Sequence, residues 1–331
     1  MKALKTIGLI VLIIIALIVI IALFLPRKVH VERSLVINAS GVVLFDQVNN
    51  LKNWDNWSPW HHLDSAMQVY YLGPPSGEGA VYHWESKNPD VGTGKMIIKK
   101  SVPYESVVID LDFTQSIAEM HMNFNPEGDN VKVVWSMDAD MGRNPLKRYL
   151  GLFMEKWIAP DFEKGLQNLK DYSEKLPYAR LIAEPADVAE TFYVSIRDTS
   201  SMATISQKMG AFYGELMNFL VQKKLQPAGS PICLYYSWEN NVFDMECAIP
   251  VEKAMTPEGR ILTGSLKPGK AVRVEFMGPY EQSGFAHMVA EQWLTKNNKN
   301  RSGAPWERYV TDPMAEPDPS KWLTEVYWPF E

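Results

Sequence analysis

The sequence has little cysteine and no concentration of positive charge, and each shortage argues against a class of protein. Its 331 residues include two cysteines, Cys233 and Cys247. Two cysteines make no disulfide framework, so we expect buried free thiols, with pairing across a hairpin as the alternative. No Cys-x-x-Cys or His-Glu-x-x-His spacing occurs, so we expect no metal site and no cofactor. The net charge of −6, without any run of like charge, argues against a nucleic-acid partner.

What the sequence does contain is one long apolar run near its beginning. Residues 7–25 carry no charged side chain. As a helix this run would be roughly 28 Å long, close to the ~30 Å hydrocarbon thickness of a bilayer. The run ends in Phe-Leu-Pro-Arg-Lys, without the small residues of a signal-peptide cleavage site. We therefore predict an uncleaved transmembrane anchor over residues 1–28, with its span at 7–25.

The charges that flank this run nearly balance, so they say little about orientation. Lys2 and Lys5 precede the run, whereas Arg27, Lys28 and Arg33 follow it. A long domain behind an N-terminal anchor is commonly translocated. We therefore expect a single-pass protein of a bacterial inner membrane, with its other domains on the extracytoplasmic side.

Residues 29–174 have the pattern of a curved antiparallel sheet closed by a helix. A strand pattern at 29–38 is followed by short strands separated by turns up to 138, and then by a long helical pattern at 145–174. Such a sheet wrapped round a helix would enclose an apolar cavity. Alternation places Asp110 and Asp112 on one strand face and the apolar Val107, Ile109 and Leu111 on the other. If the apolar face lines the cavity, the two carboxylates lie outside it, and no catalytic constellation emerges.

This region contains three motifs, W-D-N-W-S-P-W at 54–60, G-E-G at 77–79 and V-G-T-G at 91–94. These motifs resemble the START-like (SRPBCC) superfamily, and in particular its polyketide cyclase/dehydrase-type proteins. The resemblance implies a helix-grip fold with a hydrophobic ligand tunnel. The cluster of Trp54, Trp57 and Trp60 then either borders the mouth of the tunnel or packs a helix onto the edge of the sheet.

The rest of the chain contains an internal duplication behind a linker predicted at 175–187. Over residues 188–331 the order strand, helix, Gly-x-Pro turn and hairpin occurs twice. The two turns begin at Gly229 and Gly303, which are 303 − 229 = 74 residues apart. Two such units predict a pseudo-twofold α+β domain with a cleft where the halves meet.

A carboxylate in the second hairpin is the candidate site of this domain. In the strand at 306–311, Glu307 and Tyr309 share one face and Trp306 and Arg308 the other. The repeat-equivalent of Glu307 is Cys233, since 307 − 74 = 233. A carboxylate buried among aromatic rings is unfavourable unless it is paired or protonated, and a bound cation would relieve that cost. The alternative is an exposed Glu307 paired with Arg308 or a lysine.

This half of the chain contains the motifs P-G-K at 268–270, G-P-Y-E at 278–281, G-A-P-W-E-R-Y at 303–309 and L-T-E-V-Y-W-P at 323–329. With these motifs it resembles the GyrI-like domain, which also forms the effector-binding domain of AraC- and MerR-type regulators. The resemblance implies that Glu307 lies at the base of an aromatic cleft for bulky, often cationic compounds, with Trp306 where the family usually has Tyr. The candidate ligand-binding residues are Glu307, Tyr309, Trp306, Tyr235, Trp238, Tyr327 and Glu325, the last as the competing carboxylate.

Three functions follow from these observations. The first is a membrane-anchored, non-enzymatic protein that binds or senses apolar or amphiphilic small molecules or lipids, some of them cationic. The anchor and the first domain stand where the regulators carry a helix-turn-helix, so we expect no DNA binding. The second is a hydrolase of electrophilic compounds, with Glu307 as general base and Tyr309 as hydrogen-bond donor. The third is a structural subunit of a membrane complex whose pockets are vestigial.

Overall fold

The computed structural model of the chain describes residues 2–64, 66–112, 117–142, 144–239 and 242–331. The chain divides into two compact units, Met1–Ala179 and Arg180–Glu331. The first unit begins with helix α1 (Lys2–Phe24). Its segment Thr6–Phe24 has a mean hydropathy of 3.6 and is long and apolar enough to cross a membrane. Nearly all of its large side chains are exposed, which suits a helix whose partner is lipid.

A seven-stranded antiparallel sheet forms the body of the first unit. Its strands lie in the order β1-β7-β6-β5-β4-β3-β2. They are β1 (Lys28–Ile37), β2 (Gln68–Leu72), β3 (Val81–Glu85), β4 (Thr93–Val102), β5 (Ser106–Asp112), β6 (Ile117–Glu127) and β7 (Asn130–Asp140). Helix α2 (Gly41–Asn49) and two 3-10 turns connect β1 to β2, and helix α3 (Pro145–Ser173) follows β7. This arrangement confirms the predicted meander and its closing helix.

The core of this unit lies between the sheet and α3. On β5 the side chains of Val107, Ile109 and Leu111 are buried, while Asp110 and Asp112 on the other face are half-buried. This alternation confirms the predicted outward placement of the two aspartates. Helix α3 covers the apolar face, where Phe162 stacks on Trp135 with ring centroids 4.3 Å apart.

The second unit is built on one eight-stranded sheet with two helices. The strand order is β12-β9-β11-β10-β14-β15-β13-β8. The elements are β8 (Ala183–Val188), β9 (Thr191–Ser201), α4 (Ile205–Gln222), β10 (Ile232–Glu239), β11 (Val242–Val251), β12 (Leu262–Leu266), β13 (Gly269–Met277), α5 (Gly284–Lys296), β14 (Trp306–Tyr309) and β15 (Leu323–Phe330). The inner six strands lie in the order β9-β11-β10-β14-β15-β13. Strands β13, β14 and β15 are the repeat-equivalents of β9, β10 and β11, so the second repeat has the strand order of the first in reverse.

This reversal confirms the duplication and locates its pseudo-twofold axis. The axis passes between β10 and β14, the equivalent strands of the two repeats, which pair in antiparallel fashion. In that pairing Cys233 lies opposite Glu307. The carboxylate and its repeat-equivalent thiol are therefore neighbours across the centre of the sheet.

One element lies where the sequence predicted a linker. Strand β8 covers residues 183–188, of which all but the last lie in the predicted linker at 175–187. It pairs with β13 at the edge of the second sheet. Pro185 weakens the strand pattern of this segment. An edge strand tolerates proline because one side of its backbone needs no partner strand, so this segment pairs with the second sheet despite Pro185.

Candidate functional site

Glu307 lies at the centre of the second unit and is buried. Strand β14 sits between β10 and β15, so both backbone edges of Glu307 are covered by neighbouring strands. Its side chain points towards the face that carries α4 and α5, and the residue is 3 % exposed. The alternative of an exposed Glu307 paired with Arg308 does not describe this structure, in which Arg308 contacts Glu325 instead.

Four side chains donate hydrogen bonds to the two oxygens of this carboxylate. Oε1 accepts from Ser283 Oγ at 2.5 Å and lies 3.1 Å from His287 Nε2. Oε2 accepts from Tyr235 at 3.1 Å and from Tyr309 at 2.5 Å. A carboxylate has about four lone-pair positions, so the protein itself satisfies the hydrogen-bonding capacity of Glu307.

The hydrogen bonds of His287 define its tautomer. Trp328 Nε1 lies 3.0 Å from His287 Nδ1. An indole nitrogen only donates, so Nδ1 must accept and the ring proton sits on Nε2. Nε2 then donates to Glu307. Among the described residues, His287 is the one basic side chain that contacts the carboxylate.

The carboxylate stays ionised despite its burial. Burial by itself raises the pKa of a carboxyl group, but the hydrogen bond and charge interaction with His287 and the hydrogen bonds from Ser283 and Tyr309 outweigh it and hold the pKa of Glu307 below its usual value. Among the described residues, no lysine or arginine lies within 4.0 Å of this carboxylate. The centre of the unit therefore holds a buried carboxylate without a lysine or arginine beside it in the described ranges.

Aromatic rings pack against the donors of this carboxylate. Tyr280 packs edge-on against Tyr309 with ring centroids 5.0 Å apart. Trp238 lies 5.9 Å from Trp328 and 6.2 Å from the ring of His287. Trp238 is 43 % exposed, so this group of rings reaches the surface of the second unit. The negative faces of such rings attract cations.

The structure brings together some of the predicted ligand-binding residues and separates others. Tyr235 and Tyr309 contact Glu307, and Trp238 lies close by. Three other predicted residues, Trp306, Glu325 and Tyr327, lie on the opposite face of the sheet. There Trp306 stacks on Tyr327 at 5.1 Å, and Glu325 is held by Arg308 and Arg273 at 3.1 and 3.5 Å. These three therefore do not belong to the surroundings of Glu307.

Two donors to Glu307 were missed by the sequence reasoning. Ser283 immediately precedes α5, and His287 lies one turn further along. Both follow the G-P-Y-E turn at 278–281, and their spacing of four places them on one helix face. That spacing was the available signal, but the alternation of a strand does not reveal which helix covers it.

The two thiols lie beneath the same site. Cys233 Sγ and Cys247 Sγ are 3.9 Å apart on neighbouring strands, as free, buried cysteines. Burial, together with the neighbouring Cys247, raises the pKa of the Cys233 thiol well above its usual value, so it is a poor nucleophile. No group of three or more His, Cys, Asp or Glu in the described ranges is arranged to hold a metal ion.

A second candidate site is an apolar cavity in the first unit. Its volume is about 260 Å³, and it lies between the sheet and α3. Trp54 and Trp60 line it, whereas Trp57 packs behind Trp54 with ring centroids 4.5 Å apart. The tryptophan cluster thus both borders the cavity and builds the core. The remaining lining residues are Ser58, His61, Met67, Tyr82, Trp84, Asp90, Val91, Met96, Leu111, Met120, Met137, Trp157, Ile158, Asp161 and Phe162.

Family profiles match both units. Residues 28–174 match the family described as polyketide cyclase / dehydrase and lipid transport, and residues 187–331 match the GyrI-like small molecule binding domain. Each match covers one of the two units of the chain. Both are families of ligand-binding domains, which supports binding or sensing of small molecules. A search of curated proteins finds no match.

Solved structures resemble parts of the chain at low identity. The crystal structure of the EcmrR C-terminal domain is 22% identical, with a TM-score of 0.40, and covers 46% of this chain and 98% of its own. The EcmrR–DNA complex, determined by cryo-EM, is 21% identical, with a TM-score of 0.42 and coverage of 56% and 70%. A hydrolase from Listeria innocua is 12% identical, with a TM-score of 0.35 and coverage of 45% and 91%.

Proposed function

We propose that this chain is a membrane-anchored, non-enzymatic protein that binds or senses bulky apolar molecules, and that Glu307 recognises those that carry positive charge. The buried carboxylate of Glu307, which has no lysine or arginine within 4.0 Å among the described residues, carries this proposal. Helix α1 holds the protein at the membrane, with the two units on the extracytoplasmic side. The ligand-binding families of both units support the binding role.

The geometry of the site suits attraction of a cation better than a direct ion pair. Because all four acceptor positions of Glu307 are filled, a ligand does not need to donate a hydrogen bond to it. A delocalised cation beside Tyr309 and Trp238 interacts with the carboxylate through space and with the ring faces directly. Both attractions strengthen when water is excluded, so bulky organic cations suit this site better than small hydrated ions.

The same geometry argues against Glu307 as the general base of a hydrolase. A general base needs a free lone pair within reach of water and a pKa near the working pH. Here both oxygens accept hydrogen bonds from the protein, and the pKa of Glu307 is lowered. A lowered pKa makes the carboxylate a weaker base, which supports binding over hydrolysis as the function of the site.

The test uses two probes of the same shape and opposite charge. Tetraphenylphosphonium and tetraphenylborate would be titrated onto the full-length protein in nanodiscs, with empty nanodiscs as the blank. We expect saturable binding of the cation, weakened about tenfold, or about 1.4 kcal/mol, in Glu307→Gln. The matched control is Glu325→Gln, which removes a carboxylate from the opposite face of the sheet and should leave the affinity unchanged.

Two results would contradict the proposal. One is binding of both ions with equal affinity, or a Glu307→Gln variant that binds the cation as well as the parent does. The other is steady turnover of an electrophilic ester or epoxide probe that disappears in Glu307→Gln. The second result would establish the hydrolase instead.

A further inference from the structure

The first half of helix α3 carries an exposed apolar stripe. It consists of Leu146, Leu150, Phe153 and Trp157, which are 55, 52, 49 and 54 % exposed. Their spacing of four, three and four residues places them on one helix face. Phe153 and Trp157 stack on each other with ring centroids 5.7 Å apart. Four large apolar side chains in one row on a helix surface mark a contact with an apolar partner.

The same face becomes polar in the second half of the helix. Two turns beyond Trp157 the row continues with Lys164, and two turns further with Asp171, both exposed. The exposed side chains on this face of α3 therefore change from apolar to polar along the helix axis. A helix that passes from an apolar medium into water requires this pattern.

Helix α1 indicates which medium surrounds the apolar half. The Tyr149 hydroxyl donates to the backbone oxygen of Ile18 at 2.8 Å, and Arg148 Nη1 donates to that of Leu23 at 2.9 Å. Ile18 precedes the end of α1 at Phe24 by six residues, or about 9 Å of helix. If α1 crosses the bilayer, Tyr149 lies at the depth of Ile18, about 9 Å inside the end of α1. The apolar stripe then lies next to Tyr149 on the same helix.

We propose that residues 146–157 of α3 lie in the membrane, at the boundary between lipid headgroups and acyl chains, and that the cavity of the first unit takes its ligand from the lipid phase. This rests on the membrane anchoring proposed above. Trp157 belongs to the stripe and also lines the cavity. A ligand that enters the cavity beside Trp157 would come directly from the acyl chains, without crossing water.

The charges near the stripe fit lipid better than another protein. Lys147 and Lys156 are exposed on the two sides of the row, where long basic side chains can extend to lipid phosphates. Tyr149 and Trp157 are of the types that concentrate at membrane interfaces. A second copy of the chain or a partner protein would explain the stripe, but not why the same face turns polar with distance from α1.

Fluorescent labels at three depths test the proposal in the full-length protein. Single cysteines would be introduced as Ile14→Cys in α1, Phe153→Cys in the stripe and Lys164→Cys on the polar part of the same face. Cys233 and Cys247 are buried and should not take up the label. Each variant, carrying an environment-sensitive nitrobenzoxadiazole label, would be placed in vesicles with or without lipid spin-labelled near the headgroup. We expect loss of emission at 14 and 153 and none at 164.

The outcomes separate this inference from the anchoring on which it rests. Quenching at 14, with no more quenching at 153 than at 164, would overturn the inference and leave the anchor intact. Absence of quenching at 14 would overturn both. An apolar emission at 153 that spin-labelled lipid does not quench would show that protein covers the stripe, which also overturns the inference.

The route into the cavity is tested separately. A diazirine-bearing alkane dissolved in the bilayer should photolabel cavity residues such as Met120 and Met137. Labelling should fall severalfold in Phe153→Asp and stay unchanged in the matched control Lys164→Asp. Equal labelling in the two variants would contradict entry from the lipid phase.

Discussion

The two candidate sites are held together by different forces. In the first unit, Trp54, Trp57 and Trp135 form the core behind an apolar cavity, and their contacts are ring against ring. In the second unit, hydroxyl and imidazole groups converge on one buried carboxylate. A cavity built by packing selects ligands by volume, whereas a site built around a charge selects them by sign. On the function proposed above, the chain would combine two kinds of selectivity.

The two sites also contribute to the stability of their units in different ways. Dispersion and the hydrophobic effect make the walls of the first cavity part of the core, so changes there reduce stability directly. Around Glu307 the polar side chains are buried in hydrogen bonds to one another, so removal of one partner leaves another group without its hydrogen bond. The following changes distinguish the two sites, from the largest expected effect to the smallest.

Removal of the central tryptophan of the first unit should have the largest effect. Trp135 is fully buried and contacts three other tryptophans and Phe162. Trp135→Ala should lower the free energy of unfolding of the first unit by about 3–5 kcal/mol. Calorimetry of the full-length protein would measure it. Trp157→Ala, which removes a 54 % exposed ring, is the matched control and should cost less than about 1 kcal/mol.

Removal of one donor to Glu307 should have a smaller effect, confined to the second unit. Tyr309→Phe deletes a hydrogen bond to a charged acceptor and should cost about 2 kcal/mol. Tyr213→Phe is the control, because its hydroxyl donates to the neutral backbone oxygen of Ile232 and should cost about 1 kcal/mol. Equal losses of unfolding free energy in the two variants would show that the charge of Glu307 adds nothing.

The stability of the second unit should depend on pH because of the charge on Glu307. The pKa of Glu307 is lower in the folded protein than its ordinary value of 4.5. The stability contributed by ionised Glu307 is therefore fully present above pH 4.5 and is lost as the pH falls through the folded pKa. Chemical denaturation between neutral and acidic pH should show this loss in the parent protein. Other carboxylates titrate too, so the quantity to compare is the difference from Glu307→Gln, which should shrink on acidification.

The smallest effect is expected at the thiols. Burial raises the pKa of Cys233, so maleimide should not modify the folded protein within the time that fully modifies it in guanidinium chloride. Mass spectrometry would count the adducts. Rapid modification of the native protein would mean that the second unit opens frequently at its centre. The surroundings of Glu307 would then not be the stable, buried polar site that is contrasted here with the packed cavity of the first unit.

Much of the fold could be predicted from the sequence because its signals are local. The apolar run predicted α1, and alternation predicted most strands and the outward position of Asp110 and Asp112. Strand β8 was absorbed into the predicted linker because Pro185 interrupts the pattern, and only pairing with β13 makes this segment a strand. Edge strands depend on their neighbours more than on their own residues.

The candidate site was predictable only in part, for a related reason. Alternation along one strand placed Glu307 and Tyr309 together, and Tyr235 was included as an aromatic candidate for the wall of the cleft. It did not reveal Ser283 and His287, because these belong to a turn and a helix that meet the sheet through tertiary packing. Tyr327 and Glu325 were assigned to the site by type, since aromatic and acidic residues suit it, but the register of β15 against β14 places them on the other face.

The pairing of Cys233 with Glu307 has a consequence for stoichiometry. A duplicated fold offers two equivalent half-sites, and a ligand lying on its axis would have two poses of equal energy. Here the half-sites converge on a single carboxylate, because the other copy contributes a thiol at the equivalent position. At this pair of equivalent positions Glu307 is the only acidic residue, so an elongated monocation bound as proposed above should lie in one direction only. A symmetric dication would leave its second charge unmatched.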